Sequence, residues 1–129
     1  MRDISQAIGQ TKIAQVVDVF YERAVLHPQL KAPFALVQDW TTHKQQLTHF
    51  WWLTLGGERY LDYQYQVRRK HEFAGFTPEL LVPWLDLFRA TVRESVDKDL
   101  GDEWIARAER IGKSLHLMFQ FTEEQNPGR

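Results

Sequence analysis

Apolar residues recur three and four positions apart along most of the chain, the spacing of a single buried helix face. Ile13, Val16, Val17, Phe20, Tyr21 and Ala24 form the first series. They predict a helix that stops at His27-Pro28, since proline disfavours helical backbone in the residue before it. A connection over residues 28–34 follows. The second series is Trp40, His43, Leu47, Phe50, Trp51 and Thr54, a helix from about Trp40 to Leu55 with Thr41 and Thr42 as its caps and Gly56-Gly57 as its stop.

Residues 56–75 carry no clear period and read as a loop and a short helix ending near His71. Thr77-Pro78-Glu79 has the cap, first-turn proline and acidic first turn of a helix start. Leu81, Trp84, Leu85, Phe88, Thr91 and Val92 continue that helix to about Val96. Pro83 removes a hydrogen bond inside it, so either the helix kinks or its regular part begins near Val82. Asp102 is the expected cap of the last helix, whose face is Trp104, Ala108, Ile111, Leu115, Met118 and Thr122. Residues 123–129 read as a frayed, flexible tail. No strand-like alternation appears. The pattern predicts an all-α chain of four substantial helices and two or three short ones, one domain over 1–129 with its core at about 12–122.

Composition narrows the chemistry. The 129 residues include no cysteine, which excludes disulfides, Cys-ligated zinc or iron–sulfur clusters, a thiol nucleophile and covalently attached haem. A formal charge of −1 gives no long-range attraction to nucleic acid or an anionic membrane. No apolar run approaches the ~20 residues of a membrane helix. The first ten residues carry no signal-peptide core, so a cytoplasmic location is expected. The unusual feature is aromatic content: 8 Phe, 5 Trp and 4 Tyr.

The five histidines, His27, His43, His49, His71 and His116, make no i, i+4 zinc pair. Phosphate-cradling glycine loops and nucleophile–base signatures are absent. Three polar tips remain on apolar faces, those of Tyr21, His43 and Trp84. Each is an ordinary core residue bonded to backbone or water, or together they line an apolar cavity with convergent donors, as small-ligand sites are built. His71 follows Arg68-Arg69-Lys70. It is either a surface residue beside a solvated basic run or a metal ligand flanked by cations that pair with cofactor carboxylates.

The order of these features resembles a truncated haemoglobin, most like group III. The resemblance covers about Val16 to Phe121. It is carried by Phe20-Tyr21, by Pro28-Gln29-Leu30 before Phe34, and by Trp40-x-x-His43-Lys44 with Phe50-Trp51. Lys70-His71 and then Trp84-Leu85-x-Leu87-Phe88 complete it. It implies a two-over-two helical sandwich around non-covalent haem b. His71 would match the proximal iron ligand, and Tyr21, His43, Leu47 and Trp84 the distal pocket. Phe34, Phe50, Phe76, Trp84 and Phe88 would contact the haem, and Arg68 and Lys70 would pair with its propionates.

Departures from the family pattern are local. Tyr65 and Val67 stand where group III members often carry Gly and Pro, and Tyr60 and Tyr63 both lie near the family tyrosine position. Gly56-Gly57 is more similar to group II.

The resemblance implies reversible binding of O₂, and of NO and CO, by a monomer or weak dimer. The alternative is a haem redox enzyme, an NO dioxygenase or peroxidase-like protein, which in this length would need an external reductase. A third reading is a haem-free interaction or sensor domain with an aromatic core.

Overall fold

The computed structural model describes residues 3–35, 37–62 and 77–125; in the last helix, side chains are described as far as residue 115. Among the described residues there are six helices and no strand: α1 (Ile4–Ile8), α2 (Gln10–Ala24), α3 (Lys31–Phe34), α4 (Trp40–Thr54), α5 (Pro78–Ser95) and α6 (Lys98–Gln125). None of them is long and apolar enough to cross a membrane. The all-α expectation therefore holds, and the limits of α2, α4 and α5 fall within a few residues of those the pattern predicts.

Two pairs of helices dominate the packing. α2 lies on α4, α5 lies on α6, and α2 also packs against α5, which joins the pairs. The core between them is built from the predicted faces: Val16, Val17, Phe20, Tyr21 and Ala24 of α2, Leu47 and Trp51 of α4, Phe88 and Val92 of α5, and Trp104 and Ala108 of α6, joined by Ile105, which the pattern did not place there. Aromatic rings form a continuous series through it. Phe88 stacks on Trp84 at 5.1 Å between centroids and on Trp51 at 5.2 Å, and meets Trp104 edge-on at 5.5 Å. Each such pair contributes about 0.5–1.5 kcal/mol beyond its buried area.

Several helix ends differ from the sequence expectation. The cap of α4 is Asp39, not Thr41 or Thr42. Its carboxylate accepts from the Thr42 amide at 3.1 Å and from the Thr42 hydroxyl at 2.7 Å. Those hydrogen bonds, the side-chain one first, hold the Asp39 carboxyl below its ordinary pKa. α6 starts at Lys98, so Asp102 lies inside the helix and caps nothing. Asp102 instead pairs with Arg93 of α5 at 2.8 Å and with Lys98 at 3.1 Å, which fastens the α5–α6 corner. At the far end, helical backbone continues through Gln125, so the first residues of the expected tail belong to α6.

α5 is helical from Pro78 onward and includes Pro83, so its regular part does not wait until Val82. Thr77 occupies the cap position as expected but makes no side-chain capping bond. The pattern did not predict α1 at all. Its Ile4 and Ser5 are buried outside the expected core limits, and the Ser5 amide donates to the Leu55 carbonyl at 3.1 Å, satisfying an orphan acceptor at the end of α4.

Candidate functional site

Neighbouring positions on a helix point about 100° apart, and Phe20 and Tyr21 use that divergence. Phe20 turns toward α5, with Trp84 at 5.1 Å and Phe88 at 5.8 Å between ring centroids. Tyr21 turns toward α3 and α4. Its ring is 6% exposed and meets Phe34 edge-on at 5.2 Å, Trp40 at 5.6 Å and His43 at 5.8 Å. Trp40 in turn meets His43 at 5.5 Å. Leu47, one turn after His43 on α4, is buried.

The structure thus brings Tyr21, Phe34 and His43 into one corner with Trp40, and Leu47 lies one turn along α4 from His43. Trp84 lies behind Phe20, whose ring touches both Trp84 and Tyr21, the latter at 4.8 Å. Phe88 is a central core residue, 2% exposed, and Phe50 is half-buried against Trp51 at 5.1 Å. Arg68, Lys70, His71 and Phe76 lie outside the described residues. So do the side chains of Met118 and Thr122.

No family model, curated protein or solved structure matches the chain. What the cluster can do therefore rests on its own chemistry. A phenol and an imidazole stand against the apolar rings of Phe34 and Trp40. That is an apolar surface with two hydrogen-bonding tips, the composition of a small-ligand site. It is not a metal site by itself: among the described residues no three His, Asp or Glu side chains gather to hold an ion. On its outer side the same corner meets solvent through an open groove of about 500 Å³, where Phe34 and Trp40 are joined by Val25, Lys31, Ala32 and Val37.

The sequence pattern placed Phe20 on the buried face of α2 but not in contact with both Tyr21 and Trp84. It missed His49, 2% exposed, whose Nε2 accepts from the Tyr60 amide at 3.3 Å and the Leu61 amide at 3.4 Å. Six residues along a helix place His49 about 120° around α4 from His43. It is buried because the loop after α4 folds back over it. Desolvation, helped by the Arg59 charge, lowers its pKa below the ordinary imidazole value. Local periodicity carries no signal for a loop that returns; the Gly56-Gly57 pair, with Gly56 at φ 105°, was the one clue to a sharp reversal there.

Proposed function

We propose that the protein is a globin of the truncated, two-over-two kind that binds haem b and reversibly binds O₂, with NO and CO as further ligands. The observation that carries this reading is the ring contact of Tyr21 with His43, two hydrogen-bonding side chains from two helices on an apolar wall. The pairing of α2 with α4 and of α5 with α6 supports it as well.

The described residues fit the group in donor chemistry. Haem would supply an iron site for a diatomic ligand, and His71 is the residue proposed to hold it, with Arg68 and Lys70 against the propionates. Tyr21 Oη and a ring N–H of His43 would donate to the ligand. A hydrogen bond to a group that has gathered negative charge contributes about 1.5–3 kcal/mol, or roughly 10- to 100-fold in ligand retention. Leu47 and Phe34 would exclude water from the same corner. Trp84, with Phe20 between it and Tyr21, would support that wall from the α5 side.

Absorbance spectra of the purified protein in ferric, ferrous and CO-bound forms test the reading. A Soret band that His71→Ala abolishes or strongly weakens is the expected result. Haem titration without saturable binding would overturn it, and an unchanged spectrum in His71→Ala would remove the ligand assignment.

A further inference from the structure

Two side chains one turn apart on α4 hold the loop that follows it. Trp52 Nε1 donates to the Glu58 carbonyl at 2.8 Å, and its indole covers Gly57 so closely that a Cβ there would overlap the ring. His49 Nε2 accepts from two successive amides, those of Tyr60 and Leu61, while its ring meets Tyr60 edge-on at 4.6 Å. An imidazole nitrogen accepts only when it carries no proton, so this arrangement fixes His49 as neutral, with its proton on Nδ1.

We propose that His49 is a positioning residue whose neutral imidazole straps the loop of residues 57–61 onto α4, and that its protonation releases the strap. The chain leaving the strap reaches His71 only ten residues after Leu61. That bearing on His71 rests on the globin reading above; the strap itself does not.

The geometry makes protonation costly and its effect local. A proton on Nε2 turns an acceptor into a donor facing two other donors, so both amides lose their partner in one step. The charges around it add to this. Arg59, whose Nη1 donates to the Leu61 carbonyl at 3.4 Å, sets a positive charge in the same loop. Tyr60 is the other titratable group at the ring, and its burial raises the phenol pKa, so it stays neutral throughout the acid range. Across the groove that Tyr60 and Leu61 help to line, Asp18 of α2 is paired with Lys44 of α4 at 2.5 Å. Glu58 and Asp62 are the loop's remaining charges.

The test is NMR on the haem-free chain. The nitrogen-15 shifts of His49 report its tautomer, and amide exchange reports protection at Tyr60 and Leu61. The expected result is an Nδ1–H tautomer at pH 7.5. On acidification to about pH 5, Tyr60 and Leu61 lose roughly 10-fold or more in protection, while Val17 and Phe20 of α2 keep theirs. His49→Gln, whose Oε1 accepts at every pH, retains the protection and loses its pH dependence; His49→Leu is unprotected throughout. An Nε2–H tautomer, or protection at Tyr60 and Leu61 that does not change with pH, overturns the proposal. If His49→Gln fails to fold, the wild-type tautomer and exchange data still decide. A haem-binding arm separates the two readings. Strap behaviour without any Soret band counts against the globin reading alone, whereas a haem-loss rate that rises on acidification in wild type but not in His49→Gln ties the strap to the haem site.

Discussion

Replacing Phe88 by alanine is the sharpest test of how the core is built. The resemblance makes Phe88 a haem contact, yet in the structure its ring is 2% exposed and surrounded by other rings. It stacks on Trp84 with the planes 9° apart and on Trp51 at 28°, and meets Phe20 and Trp104 edge-on. Truncating a buried Phe costs about 3–5 kcal/mol through lost transfer energy and the cavity left behind. Four ring partners, each worth about 0.5–1.5 kcal/mol but not additive, push the expectation to the upper end, about 4–5 kcal/mol. That is a large share of the about 5–15 kcal/mol by which a domain of this kind is stable. Urea unfolding of the haem-free protein, followed by tryptophan fluorescence, measures it, provided the m-value stays constant. Phe88→Leu keeps apolar bulk and removes only the ring interactions, so a loss of about 1–2 kcal/mol is expected. If Phe88→Ala loses less than about 1.5 kcal/mol, the side chain is not the centre of the core.

Tyr21→Phe preserves all three ring contacts of the cluster and removes one donor; O₂ dissociation measured by stopped flow is expected to speed up roughly 10- to 100-fold, and an unchanged rate would remove Tyr21 as a donor. Gly57→Ala places a Cβ inside the Trp52 indole, which must swing out and give up its bond to the Glu58 carbonyl, so thermal unfolding should show a loss of about 1–3 kcal/mol; an unchanged Tm would show that the ring does not sit there. Trp104 is wholly buried and its Nε1–H has no partner among the described residues, so Trp104→Phe trades lost volume against removal of an unpaired donor. A net cost under about 1.5 kcal/mol in chemical denaturation is expected, and one above about 3 kcal/mol would mean that the donor is paired. Asp39 has a depressed carboxyl pKa, so its capping contribution is full above the unfolded value of about 3.9 and is lost as pH falls through the lower folded value. Acid titration of Tm should therefore be flatter at its low end in Asp39→Asn, and identical profiles would refute the cap.

What the sequence made legible was what depends on neighbours three and four residues away. α2, α4 and α5 each bury a stripe long enough to show its period, and Tyr21 and His43 stand out because they place polar atoms on such stripes. α1 was invisible because only Ile4 and Ser5 of its five residues are buried, and its anchor is the distant Leu55 carbonyl. The α4 cap was misassigned between hydroxyls and a carboxylate, although the residue immediately before Trp40 was the Asp that accepts both Thr42 donors. Asp102 looked like a cap because it precedes the Trp104 face. Its carboxylate is used by Arg93, nine residues earlier on another helix, a pairing no local rule encodes. His49 failed for the same reason: its partners are amides of a loop that returns, not residues of its own helix face.

If Tyr21 donates to a bound ligand as proposed, the placement of Phe20 beside it couples ligand retention to core packing. One turn of α2 supplies both the ring that seals the core against Trp84 and Phe88 and the ring that meets Phe34, Trp40 and His43. The two rings touch at 4.8 Å, so neither can move without displacing the other. A substitution that loosens the core at Phe88 removes one support of Phe20 and thereby shifts Tyr21, whose donor atom must be held within a few tenths of an ångström of its partner. The expected signature of Phe88→Leu is then twofold: a modest loss of stability, and a faster O₂ dissociation transmitted through Phe20 to Tyr21. If dissociation in Phe88→Leu matches wild type while stability falls, Phe20 does not transmit packing to the donor pair, and the core and the site are independent.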